Sequence, residues 1–120
     1  MGTFVLSIKE NGDYKYTYNN RRGKTIITSI GFKDKIDCLE SIVLLKRGFE
    51  TLSFPKFKTS SGKFFFRVIL DGNVHCASRK FTTVLRMEKG INDIMKYFTS
   101  GEILDFTECV FPEIQFEDEE

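Results

Sequence analysis

Side chains that carry chemistry most readily are sparse in this chain. His75 is the only histidine and stands beside Cys76, one of three cysteines. An imidazole and a thiol can act as base and nucleophile only if both reach one reacting atom. Neighbours on a regular strand point to opposite faces, so this pair is expected to be a surface histidine and a small core residue. Cys38, Cys76 and Cys109 are far apart and form no Cys-x-x-Cys pair, which predicts reduced thiols. One histidine and scattered cysteines do not make the three or four converging ligands of a metal site, and Glu117 to Glu120 lie in a terminal acidic run. Acids such as Asp71 and Asp93 meet only if the fold brings them together. No phosphate-binding glycine loop, nucleophile elbow or zinc-protease motif is present. The sequence therefore assigns no catalytic, cofactor-binding or metal-binding residue, and a binding protein is a better reading than an enzyme.

Aromatic and basic residues say more. In the run Phe64-Phe65-Phe66 the middle ring must face away from its neighbours, on the side of Ile69. If helices cover one sheet face only, Phe65 and Ile69 lie on the open face, as a patch for a protein partner, a small ligand or a second copy. The alternative is that the C-terminal extension, with Val110, Phe111, Ile114 and Phe116, folds over it. Lys15, Arg21, Arg22, Lys63 and Arg67 lie among sheet aromatics, which permits a nucleic-acid platform of stacked rings and phosphate-binding cations. The expected interaction patch is thus Phe65, Arg67, Ile69, Lys15, Arg21 and Arg22.

The elements that position these residues occur twice. Asn11-Gly12 matches Ser61-Gly62, and Tyr14, Tyr16 and Tyr18 match Phe64, Phe66 and Val68. Gly23 then matches Gly72, Phe32 matches Phe81, and Ile42 matches Ile91. Each unit reads as a strand, a turn, a second strand with an apolar face, a second turn and a third strand. The strands are Phe4 to Lys9, Tyr14 to Tyr18 and Lys24 to Ser29, with Asn73 to Ser78 as the third strand of the second unit. A helix follows, with Asp34 or Thr83 as N-cap. The first helix is expected to bury Ile36, Leu39, Ile42 and Val43, and the second Val84, Met87, Ile91, Ile94, Met95 and Phe98. Gly48 and Gly101 suit left-handed C-caps. Extended segments, Leu52 to Phe57 and Ile103 to Phe111, close the units. The expectation is one α+β domain over 1–120: repeats at about 3–50 and 54–111, and an acidic tail at 112–120. The architecture would be a tandem βββαβ repeat, a single antiparallel sheet of six to eight strands with two helices on one face.

The chain has 120 residues, 41% hydrophobic and 29% charged, the composition of a globular protein rather than a disordered one. No apolar run approaches the ~20 residues of a membrane helix. Ser7, Lys9 and Glu10 interrupt the N-terminal apolar stretch, unlike a signal peptide, so a cytoplasmic location without membrane association is expected. Net charge is +1, unevenly spread: residues 1–50 carry nine basic and six acidic groups, residues 51–99 nine and three, and residues 100–120 none and eight. Such a tail is either solvated or paired with the basic body.

The passage Asn11-Gly12…Gly23-Lys24-Thr25-Ile26-Ile27-Thr28-Ser29-Ile30-Gly31-Phe32-Lys33-Asp34-Lys35 resembles the YegP-like family. So does its echo Ser61-Gly62…Asp71-Gly72…Ala77-Ser78…Phe81, running on to Glu88-Lys89-Gly90-Ile91. The likeness covers nearly residues 3–98. The second half departs in Arg79-Lys80 and Val84, and the first has Ser41 where the pattern favours the glycine seen at Gly90. The resemblance implies a βββαβ unit that pairs with a second copy, in tandem or as a homodimer. The paired units share a sheet and exchange their last strands, which would place Leu52–Phe57 and Ile103–Phe111 in the partner unit's sheet. It implies no activity, cofactor or catalytic residue.

Overall fold

The structure is a computed structural model that describes residues 2–107. The strands are β1 (Thr3–Ile8), β2 (Tyr14–Asn19), β3 (Thr25–Ser29), β4 (Lys56–Lys58), β5 (Phe64–Leu70), β6 (Asn73–Ser78) and β7 (Glu102–Asp105). Helix α1 (Lys35–Arg47) joins β3 to β4 and α2 (Val84–Tyr97) joins β6 to β7, each followed by a short 3₁₀ turn. Among the described residues the strands form one sheet in the order β4-β5-β6-β3-β2-β1-β7.

Tyr16, Tyr18, Phe4, Leu6, Phe66 and Val68 alternate along their strands and join one buried cluster with Ile42 and Leu45 of α1 and Met87, Ile91 and Ile94 of α2. Both helices therefore pack on one sheet face. The opposite face carries Val5, Thr17, Thr28, Ala77 and Arg67, aligned in one row by the strand registers.

The register gives the sheet a centre. Ile27 pairs with Ser78, Thr28 with Ala77 and Ser29 with Cys76. On either side the same bonds recur about 49 residues apart. Tyr16 N–H donates to Ser29 Oγ and Phe66 N–H to Ser78 Oγ, both at 2.9 Å. Tyr14 and Phe32 exchange backbone bonds, as do Phe64 and Phe81. The Tyr16–Phe32 and Phe66–Phe81 ring pairs both stack at 6.3 Å.

The sheet is mixed rather than wholly antiparallel, because β7 runs parallel to β1. An edge strand offers free N–H and C=O groups to a neighbour of either direction. The chain returns from α2 to the outer edge of β1, where Phe106 N–H donates to Leu6 C=O at 3.0 Å. Asp105, held down at a pKa of about 2 by its hydrogen bond to Lys35, clips β7 to the start of α1. Residues 108–111 of the expected last strand, the covering residues Val110, Phe111, Ile114 and Phe116, and the acidic tail lie outside the described residues.

Three local expectations need correction. Gly48 (φ −92°) and Gly101 (φ −66°) are not left-handed. They are glycines for space: a Cβ on Gly48 would sit 2.8 Å from Leu70, and one on Gly101 3.0 Å from Phe4. The left-handed glycines are Gly12, Gly23, Gly62 and Gly72, all in hairpin loops. The buried face of α1 is Cys38, Ser41, Ile42 and Leu45, while Ile36 and Val43 are exposed; on α2, Val84 and Met95 are exposed. The apolar residues of α1 run almost around it, so hydropathy alone could not choose the face. Finally, Thr83 Oγ1 caps α2 by accepting from Arg86 N–H at 3.1 Å, but Asp34 makes no side-chain cap. Thr83→Ala is expected to cost about 1 kcal/mol in chemical denaturation and Asp34→Ala clearly less.

Candidate functional site

On the open face Phe65 stacks on Phe57, ring centroids 5.1 Å apart, and the Arg67 guanidinium lies 4.8 Å from the Phe57 ring and 5.9 Å from the Phe65 ring. Ile69 is half-buried and bridges to Ser53 through backbone bonds. Lys15 stands opposite Ser7 on β2, three strands away from β5, and Lys63 is in the β4–β5 loop. Arg21 and Arg22 are in the β2–β3 turn and line a groove with Asp93 and Tyr97 of α2. The six residues expected as one patch therefore divide between β5, β2 and this turn.

His75 and Cys76 do not face opposite ways. Val68 pairs with Cys76 but Ile69 with Val74, leaving His75 as the extra residue of a β-bulge. A bulge sets two residues of one strand against one of its neighbour and turns the alternation aside. Both side chains consequently face the helices. His75 Nδ1 lies 2.8 Å from Ser41 Oγ on α1, Ser41 Oγ is 2.7 Å from the Tyr16 hydroxyl, and Cys76 Sγ donates to that hydroxyl at 3.3 Å. A polarity that satisfies every group runs from the Cys76 thiol through Tyr16 and Ser41 to a neutral His75 Nδ1. Burial drives the Tyr16 hydroxyl far above its ordinary pKa and pushes the Cys76 and Cys38 thiols up to about 12 and 11. Burial also lowers the His75 pKa. Thiols held protonated this way are poor nucleophiles, and the hydroxyl of Ser41, almost fully buried, is already engaged by Tyr16 and His75. Ser41 answers the tyrosine and histidine around it; its departure from the glycine pattern marks the position, but only the fold brings those partners to it.

Asp71 and Asp93 do not meet. Asp93 accepts from the Tyr18 hydroxyl at 3.4 Å, whereas Asp71 sits in the β5–β6 turn at φ 52°. Among the described residues no group of three or more His, Cys, Asp or Glu side chains could hold a metal ion, and no helix is long and apolar enough to cross a membrane.

The feature that sequence reasoning missed lies along α2. One groove of about 330 Å³ is lined by Lys24, Arg79, Lys80, Arg86 and Lys89, with Phe81, Ile26 and Gly90 also in its wall. It shares Asn20 and Asp93 with the groove of about 200 Å³ that holds Arg21 and Arg22. Thr82, Arg86, Lys89, Gly90, Asp93 and Tyr97 repeat at helical spacing, so the two grooves run on along one side of α2. All seven cations are exposed, and among the described residues none is in an ion pair. Among the described residues Asp93 is the only carboxylate in the lining. Gly90 matters for the wall: a Cβ there would meet the Phe81 ring at 3.0 Å. Three sequence regions contribute the cations, each unremarkable alone, so only their convergence carries a signal.

Among the described residues this geometry defines an α+β fold with one mixed seven-stranded sheet, two helices on one face and a cationic groove beside the second helix. One curated protein is similar to it in sequence, and two solved structures share its fold. The chain is 21% identical over 106 residues to a UPF0339 protein from the ptx operon 5′ region of Stutzerimonas stutzeri, covering 87% of this chain and 96% of that one. The solution structure of the protein of unknown function yegP from E. coli matches with a TM-score of 0.80 at 24% identity, over 90% of this chain and 95% of that one. A UPF0339 protein of Shewanella oneidensis matches with a TM-score of 0.83 at 18% identity, over 95% and 98%. No family model matches the chain.

Proposed function

We propose that this chain is a UPF0339/YegP-type tandem-repeat protein that acts without catalysis, as a binding module for a polyanionic ligand held in the groove along α2. The observation that carries this reading is the gathering of seven cations around a single carboxylate, none of them in an ion pair, among the described residues. Like charges brought together raise the local potential and the free energy of the empty protein, and a bound anion relieves both. The tandem reading rests on the hydrogen bonds and ring stacks that recur about 49 residues apart. Exchange of last strands is supported by β7, which follows the second helix yet pairs with β1. Two buried free thiols suit a reducing, cytoplasmic setting.

The test is a thermal-shift titration with inorganic tripolyphosphate at low salt. A ligand at ~100 times its dissociation constant adds about 2.7 kcal/mol, which raises the melt of a domain this size by several degrees. The shift should vanish when Arg86→Asp and Lys89→Glu are combined. A wild-type melt unmoved by millimolar tripolyphosphate overturns the reading.

The open sheet face supports a second reading, self-association. Val5, Thr17, Thr28 and Ala77 form an uncharged central row that no described element covers, flanked by the Phe57–Phe65–Arg67 stack. Sedimentation should show a dimer that Thr28→Lys dissociates; a monomer at every concentration rules this out.

A further inference from the structure

The two halves of the molecule build the same groove with opposite charge. Beside α1 a groove of about 310 Å³ is lined by Phe32, Asp37, Glu40, Ser41, Leu44 and His75. Forty-nine residues on, Phe32, Asp37, Glu40, Ser41 and Leu44 become Phe81, Arg86, Lys89, Gly90 and Asp93, all in the wall of the cationic groove. The sixth residue crosses halves in both directions. His75 of β6 lines the α1 groove, and Ile26 of β3, forty-nine residues earlier, lines the α2 groove. Each is the extra residue of a β-bulge in its own strand. The backbone and the aromatic wall are thus shared, and the difference is concentrated in charge: Asp37 and Glu40 against Arg86 and Lys89.

We infer that the α2 groove binds a single strand of nucleic acid lengthwise, one strand per chain, and that its acidic counterpart beside α1 takes none. This rests on the polyanion reading above and specifies the ligand. The cations are strung along the groove rather than converging on a point. Arg86, Lys89, Lys24, Arg79 and Lys80 line one part, and Arg21 and Arg22 continue past Asp93 towards Tyr97. A compact phosphate would use two or three of them. The fourteen residues of α2 span about 21 Å at 1.5 Å per residue, the length of roughly six stacked nucleotides at 3.4 Å each. Exposed Tyr97 at the far end offers a ring for a base. The acidic groove repels the same backbone, which limits the chain to one strand.

The deciding experiment is fluorescence anisotropy with a labelled ten-nucleotide oligo(dT), titrated at several salt concentrations, with inorganic tripolyphosphate titrated separately by calorimetry. The expected result is one strand per chain, with log K falling against log salt at a slope of up to about −5 if all seven cations meet phosphates. Arg86→Asp with Lys89→Glu, which copies the residues of the α1 groove, should weaken binding at least tenfold and flatten the slope. Lys24→Glu with Lys80→Glu, on the facing wall, should do the same. Lys15→Glu with Lys63→Glu changes the net charge equally but lies outside the groove, and should leave affinity within about twofold. Equal loss in this control overturns the groove assignment, and two strands per chain overturns the role of the acidic counterpart. Tripolyphosphate binding that the groove variants abolish, with no oligo(dT) binding, overturns the single-strand inference and leaves the polyanion reading standing. Failure of both ligands overturns the two together.

Discussion

Replacing Phe4 with alanine is expected to destabilise the fold by about 3–5 kcal/mol, the usual loss for a large aromatic taken from a core. Phe4 is fully buried and joins β1 to the turn after α2. Its ring centroid lies 4.8 Å from that of Phe98, 5.2 Å from Tyr18 and 6.0 Å from Tyr16. Lys46 Nζ sits 5.1 Å from its centroid while donating to Gly101 C=O at 2.8 Å. The ring therefore touches β2 and the turn after α2, and carries the cation of α1. Gly101 is glycine because this ring occupies the place of a Cβ. The removed ring leaves a cavity that strands held in a ladder cannot close. Urea denaturation at neutral pH measures the effect; a midpoint change worth less than about 1 kcal/mol would mean that the site collapses. Ile36→Ala, by contrast, should change little, because Ile36 is 76% exposed.

Ser41→Ala is expected to cost about 1–3 kcal/mol, more than loss of one ordinary hydrogen bond, because it strands two groups. The Tyr16 hydroxyl and His75 Nδ1 both lose the oxygen that lies 2.7 and 2.8 Å from them. Tyr16→Phe removes the hydroxyl together with its need for a partner, so the double variant Tyr16→Phe/Ser41→Ala should cost less than the sum of the singles. Strict additivity would show that the network is not coupled. The same network predicts a pH dependence. Burial lowers the His75 pKa in the folded state, partly opposed by Asp71, while Asp37 and Glu40 line the same groove. The folded protein then binds fewer protons than the unfolded chain, whose histidine titrates near ~6.5. This contribution is complete above that pH and is lost as pH falls through the folded pKa. Protonation would also force Nδ1 to donate, reversing the polarity of the chain of hydroxyls. The wild type should lose melting temperature between pH 7 and pH 5 more steeply than His75→Ile, which installs the residue found at the equivalent Ile26. Parallel profiles would remove His75 from the account.

Much of the fold was legible because it is local. Turn glycines at positions 12, 23, 62 and 72 mark left-handed backbone that other residues rarely adopt. The alternation of Tyr16 and Tyr18, and of Phe66 and Val68, selects one sheet face. Thr83 marks the start of a helix through a bond to a residue three places away. The misses have one physical origin: they depend on what the chain meets after folding. Which side of α1 is buried depended on the Tyr16 hydroxyl and its need for Ser41. The directions of His75 and Cys76 depended on a bulge that only the register with β5 reveals. The pairing of β7 with β1 depended on where α2 returns the chain.

The functional reading divides in the same way. By itself the sequence determined the hairpins, the helices and the basic body, since each is written in residues adjacent along the chain or a few places apart. Only the tertiary structure decided that Arg21, Arg22, Lys24, Arg79, Lys80, Arg86 and Lys89 share one groove while Asp37 and Glu40 face the other. Charges act through space, and the distances that count are set by packing β3 against β6 and both helices on one face.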